Sequence, residues 1–230
     1  VMERTFRRMA ASAALGFAML LPACLPPASP AQGPAPDADA DAAGAPAGPG
    51  EELPAAGYGT LRQDAFTVQL RRDALLIKVT PLEESVIRLA APDTYQRLHR
   101  LAETLGDEAR SRAGGGAVLF LVSFFSYQPD TFYEPENVQI VARGRQLGSR
   151  AIVPLTPGWG RQRLRQQETE SAVYAFPADV DLSLPFQVRY GMEQSDAWSQ
   201  ILPVLDRERA RAASRAGRPH SGMSYSLILR

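Results

Sequence analysis

The amino-acid sequence predicts a mainly β domain with helices: a layered sandwich of about seven strands, with a helical insertion between the second and third. Three observations predict it. Ala117–Ser126 (AVLFLVSFFS) is uncharged and sharply bounded, by Gly114–Gly116 before it and Gln128-Pro129-Asp130 after it. A run that apolar and that short is a strand buried on both faces, in the middle of a sheet. Six further short segments alternate or cluster apolar residues between turn residues. Between Pro81 and Ala113 the apolar period lengthens from that of a strand to that of a helix.

Taken in order, Ala65–Leu70 (AFTVQL) alternates Phe66, Val68 and Leu70 with Thr67 and Gln69, the pattern of a half-buried strand. Arg71-Arg72-Asp73 turns the chain into Ala74–Val79 (ALLIKV), its hairpin partner. At Thr80-Pro81-Leu82-Glu83, threonine suits an N-cap, proline the first helical position and glutamate the third. This capping box predicts a short helix to about Ala90. Pro92 interrupts it, and Asp93 with Gln96 marks a second start. Tyr95, Leu98, Leu101, Ala102, Leu105 and Ala109 then recur on one helical face, with Arg110 and Arg112 in the last turn and glycines to end it. His99 lies beside that stripe as a surface or half-buried residue. After the central strand come Val138–Ala142, a turn at Arg143–Arg145, and Ala151–Leu155, which Pro154 assigns to a sheet edge or bulge. Ser171–Phe176 and Pro185–Tyr190, joined by a turn through Asp179–Asp181, complete the strands. Trp198, Ile201, Leu202 and Leu205 predict a short helix over Ser195–Leu205, kinked or divided at Pro203. From Arg207 the Arg/Ala/Ser-rich chain reads as a frayed or extended helix and a loose tail, whose final SYSLILR is able to add an edge strand. The strand count fits an immunoglobulin-like β-sandwich. The alternative is an open α+β sheet with helices on one face.

The chain has 230 residues and a net charge of +0, so its global balance does not point to nucleic acid. Lys78 is the only lysine. Cys24 is the only cysteine, which excludes an intramolecular disulfide, and His99 and His220 are too few for a histidine-built metal site. The sequence contains no G-x-S-x-G, phosphate-binding glycine loop, H-E-x-x-H or C-x-x-C. No catalytic residue, cofactor or metal is assigned, and an enzyme is the minority reading.

Arg4, Arg7 and Arg8 precede the uncharged apolar stretch Met9–Leu21, the pattern of a secretory signal. It ends in Leu21-Pro22-Ala23-Cys24, which resembles the lipobox of bacterial lipoproteins; Leu21, Ala23 and Cys24 match and Pro22 departs from it. The resemblance implies a diacylglyceryl group on Cys24 and cleavage before it. The alternative is an ordinary signal-peptidase site near Ala28–Ala31. Two or three acyl chains would anchor the protein stably. Leu25 after the cysteine favours, by analogy with proteobacterial sorting, the periplasmic face of the outer membrane over the inner membrane. The export route stays open, and the resemblance covers only these first two dozen residues.

From Leu25 to about Thr60 the chain is rich in Pro, Ala, Gly and Asp, with its charges (Asp37, Asp39, Asp41, Glu51, Glu52) all negative. It reads as a disordered tether reaching roughly 30–35 Å, a solubilising spacer rather than a calcium site. The expected organisation is therefore a leader over 1–23, lipidated Cys24 and tether over 24–60, the folded domain over 61–206 and an Arg-rich tail over 207–230.

Two clusters are candidates for binding. Tyr127, Asp130, Phe132, Tyr133, Glu134 and Glu136 follow the central strand, and exposed aromatics interleaved with carboxylates suit a loop that binds sugar or peptide. The competing reading has the aromatics closing the end of the domain and the acids facing water. Asp130, Glu134 and Glu136 could also supply an acid/base pair for a hydrolase, the least favoured reading. Arg161, Arg163 and Arg165, after Gly158-Trp159-Gly160, would share one side of an extended segment and receive an anion, or else pair with Glu168 and Glu170. Trp159 between glycines reads as a loop anchor dipping into the core. The expected function is a lipid-anchored envelope protein whose domain binds a protein partner or a cell-wall glycan, with no nucleic acid. The alternative is a structural or assembly subunit of an envelope complex with no small ligand.

Overall fold

The structure, a computed structural model, describes residues 53–217. The leader, Cys24, most of the tether, His220 and the final SYSLILR lie outside the described residues. A 3-10 turn at Gln63–Phe66 leads into β1 (Val68–Arg72) and β2 (Leu75–Pro81), followed by α1 (Glu84–Ile87), α2 (Pro92–Arg112), β3 (Ala117–Ser126) and β4 (Thr131–Phe132). A second 3-10 turn, Pro135–Asn137, opens the run of β5 (Val138–Ala142), β6 (Arg145–Gly148), β7 (Ala151–Pro154), β8 (Arg163–Leu164), β9 (Thr169–Pro177), β10 (Phe186–Tyr190) and β11 (Glu193–Ser195), and α3 (Trp198–Ala216) follows. The strands form sheets of five (β1-β2-β3-β9-β7), four (β11-β10-β5-β6) and two (β4-β8). Every pairing within them is antiparallel. The fold is β-rich α+β, and both α1 and α2 fall between β2 and β3, where the insertion was expected.

Strand β3 is the third of five, as its uninterrupted apolar run predicts. Its two faces have different partners. Leu119 packs under α2, close enough that a Cβ added at Gly106 would come within 2.9 Å of its Cδ1. On the opposite face Phe120 meets Phe186 of β10 edge-on at 6.1 Å, and Phe124 meets Tyr190 at the same separation. Burying each such side chain contributes about 1.5–3 kcal/mol, which is why this strand lies between a helix and a second sheet. Strand β7 is outermost in its sheet, where the N–H that Pro154 lacks is not needed by a neighbouring strand.

Several elements differ from expectation. Thr80 and Pro81 do not cap a helix: β2 claims both, and the buried Thr80 hydroxyl lies 2.7 Å from that of Thr67. Glu83 becomes the residue before α1, and its carboxylate accepts from the Leu119 N–H at 3.0 Å instead of closing a capping box. Helix α1 therefore spans only Glu84–Ile87. Ala65 and Phe66 belong to the 3-10 turn, where Thr67 Oγ1 donates to the Gln63 carbonyl at 2.8 Å, and the strand starts at Val68. Arg145 opens β6 rather than closing a turn, because Arg143 (φ 50°) and Gly144 (φ 73°) make a two-residue hairpin. Strands β4, β6, β8 and β11 were not expected; each has four residues or fewer, too short to show a period.

Pro203 does not divide the last helix. Helix α3 runs from Trp198 to Ala216, past the boundary expected at 206, so the first ten residues of the expected tail are helical. Its inner face is Trp198, Ile201, Leu205, Glu208 and Ala212, all buried, with Trp198 stacked on Phe186 at 4.8 Å. Buried Glu208 accepts from Thr60 N–H and Oγ1, each at 2.9 Å, and from Arg215 at 3.0 Å; Arg215 also donates to the Tyr58 carbonyl. The described end of the tether is thus part of the packed structure. Leu61 bridges to Ala90, and Gly59 lies so close that a Cβ would overlap the Leu89 carbonyl. Gly59→Ala is therefore expected to destabilise the domain by about 1–3 kcal/mol, since backbone cannot swing aside as a side chain can. A thermal melt unchanged from wild type would contradict this packing.

Candidate functional site

The β1–β2 turn, the loop from β3 into β4, and the end of β10 enclose an open cleft of about 490 Å³. Asp73 (φ 51°) and Asp130 (φ 56°), both in the left-handed region that aspartate tolerates, turn the two loops toward each other. The Tyr127 N–H donates to the Ala74 carbonyl at 2.9 Å and ties them together. Ser126 stiffens the second loop: its Oγ accepts from the Gln128 N–H at 3.1 Å and lies 2.5 Å from Thr131 Oγ1.

Of the six residues expected in one binding loop, the cleft gathers three: Asp130, Phe132 and Glu134. Phe132 is 53% exposed at its mouth. Tyr133 departs from the binding-loop expectation. It is fully buried, with its ring 4.7 Å from Phe124 and 5.8 Å from Trp159. Alternation is the reason: β4 pairs with β8 through Phe132, the Tyr133 N–H just past it continues the pairing by donating to the Gln162 carbonyl at 3.0 Å, and adjacent residues face opposite ways. Tyr127 is exposed but lies outside the cleft, with Arg71 over its ring at 4.8 Å, and Glu136 is exposed elsewhere.

The cleft also contains residues not singled out from the sequence: Arg72, Asp73 and Tyr190. Tyr190 accepts from the Glu134 N–H at 2.8 Å, and burial raises its phenol above the ordinary value, so it serves as a neutral acceptor. Arg72 covers the Tyr190 ring at 5.6 Å. Arg163 holds Asp130 through both carboxylate oxygens at 2.7 and 2.8 Å. Among the described residues the Asp73 side chain has no hydrogen-bond or ion-pair partner, and the Glu134 carboxylate accepts only from Asn137. The available surface is an exposed ring, two carboxylates without a cationic partner, and one arginine. That combination complements a ligand with an apolar or ring face and donor groups, either hydroxyl or cationic.

The three arginines do not share one side. Gln162 (φ 55°) breaks the extended backbone, leaving only Arg163–Leu164 as strand. Arg161 donates to Glu168 at 2.8 Å and Glu170 at 3.0 Å, while the Arg165 N–H binds Glu168 at 2.7 Å. That backbone bond comes first among the interactions that hold the Glu168 carboxyl below its ordinary value, with the charges of Arg161 and Arg165 adding to it against some desolvation. Glu170, 2% exposed, also accepts from Thr156 and lies beneath Gly158, where no Cβ fits. Trp159 anchors this loop against Phe124, Tyr133 and Tyr174, as expected from its glycine neighbours. Nearby, the Tyr133 hydroxyl is buried with no well-formed hydrogen bond; burial, with the Glu170 charge adding to it, pushes its phenol up to about 12, against a weaker opposing contact from the Gly160 backbone.

His99 is half-buried on α2. Its Nδ1 lies 2.6 Å from Glu84 and its Nε2 3.2 Å from Glu103, and its ring stacks on Tyr95 at 5.1 Å. Burial opposes the charge on Glu84, but hydrogen bonds from Arg88 and His99 outweigh it and keep its carboxyl below its ordinary value. This network joins α1 to α2. Among the described residues no group of three or more His, Cys, Asp or Glu side chains is placed to hold a metal ion, and no helix is long and apolar enough to cross a membrane.

No family model and no curated protein matches the chain. Among solved structures, a functionally unknown protein from Listeria monocytogenes EGD-e aligns over 54% of this chain and 69% of its own, at 10% identity and a TM-score of 0.30. A likeness that slight carries no argument about fold or function.

Proposed function

We propose that this is a lipid-anchored cell-envelope protein whose β-rich domain binds an envelope protein or a cell-wall component through the cleft at Phe132. The observation that carries the binding role is the split between neighbours: Phe132 exposed beside Asp73 and Glu134, Tyr133 buried beneath it. A rigidly seated aromatic at the mouth of a cleft loses little entropy on binding and offers a large contact area. The anchor rests on Cys24 and the leader before it. In this reading the five- and four-stranded sheets are the layers of a sandwich. It is immunoglobulin-like in layering, while the strand orders 1-2-3-9-7 and 11-10-5-6 are its own. The Phe120–Phe186 and Phe124–Tyr190 contacts support that layering.

Two measurements test the proposal separately. Cys24→Ser should release the protein from washed membranes and leave it without acyl chains; retention with acylation intact would remove Cys24 as the anchor. Phe132→Ala should weaken capture of envelope proteins or of purified cell-wall fragments by about tenfold or more, as loss of an aromatic hot spot does. Capture unaffected by that change, in a protein that melts normally, would place binding elsewhere. Which of the two baits is lost identifies the partner class.

A further inference from the structure

Beside α2, where it crosses the five-stranded sheet, lies an open groove of about 710 Å³. Leu101 and Leu105 of the helix form one wall, and Leu121 of β3 with Leu155 just past β7 forms the floor. The register puts those last two on one sheet face. Leu121 lies across from Val173, and Val173 from Val153, two residues before Leu155. Asp93, Arg97 and Arg100 continue the helix wall toward its N-terminal end, about 18 Å of helix separating Asp93 from Leu105. Arg97 donates to Gln63 at 2.6 Å, whereas the Arg100 guanidinium has no partner among the described residues. With Asp93 opposing the two arginines, the lining carries one net positive charge.

We propose that the groove binds a single long-chain fatty acid, its alkyl chain along the leucines and its carboxylate on Arg100. Three observations select this ligand. First, the lining is divided lengthwise, charged at the Asp93–Arg100 end and apolar from Leu101 to Leu105 and across Leu121 and Leu155. An apolar slot with one polar group at its end orients a molecule of the same division. Second, the charges are complementary. A guanidinium with no other partner takes a carboxylate through two parallel N–H donors, which fixes the direction in which the chain enters. Third, the sheet edge beside the groove is poorly suited to a peptide strand. The Leu155 N–H donates to the Ser171 carbonyl at 2.9 Å, so along β7 it is Leu155, Val153 and Ala151 that bond β9. Ile152 and Pro154 turn their backbone to the open edge, and Pro154 has no N–H. A peptide added there would find one donor, whereas an alkyl chain needs none. Burial of its methylenes against the leucines supplies the affinity.

The test uses the full chain with Cys24→Ser as background, and palmitate and hexadecanol as probes. Palmitate should bind saturably, one molecule per chain. Leu155→Asp should weaken the binding of both probes about tenfold or more, since it places a charge in the floor. Arg100→Gln should weaken palmitate about tenfold and leave hexadecanol within about twofold, because only the acid loses a charge-assisted hydrogen bond. Leu155 is 44% exposed and Arg100 is exposed, so both variants should melt as the parent does. Palmitate binding indifferent to Leu155→Asp would place the fatty acid elsewhere on the chain and overturn the proposal. Equal losses of the two probes in Arg100→Gln would overturn the carboxylate contact. Failure to bind palmitate, with sedimentation on anionic phospholipid vesicles that Leu155→Asp abolishes, would give the surface to a bilayer instead. A dimer that Leu155→Asp dissociates, again without palmitate binding, would give it to a second copy.

Discussion

Tyr133→Ala should destabilise the domain by about 3–5 kcal/mol, while Phe132→Ala should change its melting temperature by little, a difference of under about 0.5 kcal/mol. The two aromatics are adjacent in sequence, but only Tyr133 is surrounded. Its removal empties the space between Phe124 and Trp159, and those rings belong to β3 and to the loop covering Glu170. Tyr133→Phe separates packing from the hydroxyl. It keeps the ring and removes an oxygen that makes no well-formed hydrogen bond, only a weak contact with the Gly160 backbone, so its stability should stay within about 1 kcal/mol of wild type. Thermal melts of the three variants decide the matter. Equal losses for Tyr133→Ala and Phe132→Ala would mean that both rings are structural, and the cleft would lose the residue that makes it a binding site.

Ending the domain at Asp206 should be comparably damaging. A protein of residues 53–217 is expected to unfold cooperatively, whereas residues 61–206 should melt roughly 10 °C lower or fail to unfold in one step. The shorter piece loses Ala212, Glu208 and the clasp on Thr60 and Tyr58. Glu208→Ala alone should cost at the low end of the about 3–5 kcal/mol seen for broken buried pairs, because Arg215, 34% exposed, can turn to water. The clasp also makes stability depend on pH. Burial works against the Glu208 charge, but Thr60 and Arg215 outweigh it and hold the carboxyl below its ordinary 4.5. Glu208 therefore binds a proton less readily folded than unfolded. Its contribution is complete above about pH 4.5 and lost as the pH falls through the folded value. The gap in melting temperature between wild type and Glu208→Gln should accordingly narrow between pH 6 and pH 3. A gap that stays constant would show that the carboxylate charge does not hold the clasp.

The sequence by itself determined the elements whose signal is long and periodic. Ala117–Ser126 is the central strand because ten uncharged residues can be satisfied only with both faces covered, and Pro92–Arg112 is a helix because its apolar stripe repeats over several turns. Pro154 marked an edge because it cannot donate to a neighbour. Tertiary structure decided the rest, for reasons that local patterns do not carry. Thr80 and Glu83 have the residue types of a helix cap, yet a neighbouring strand outbids the cap for their backbone and side chains. The stripe Trp198, Ile201, Leu205, Glu208, Ala212 was present in the sequence, but past Arg207 the Arg/Ala/Ser-rich composition reads as a frayed or extended helix and tail until Thr60 and Arg215 are seen to hold Glu208 against the domain. Gly59 looks like spacer because nothing adjacent in the chain explains it; the constraint comes from Leu89, thirty residues away. The cleft is hidden for the same reason. Asp73, Phe132 and Tyr190 lie far apart in sequence, and only the antiparallel pairing of β1 with β2, and the Tyr190 hydroxyl on the Glu134 N–H, bring them to one opening. Which of Phe132 and Tyr133 faces water is set at the end of a two-residue strand, too short for any period to reveal.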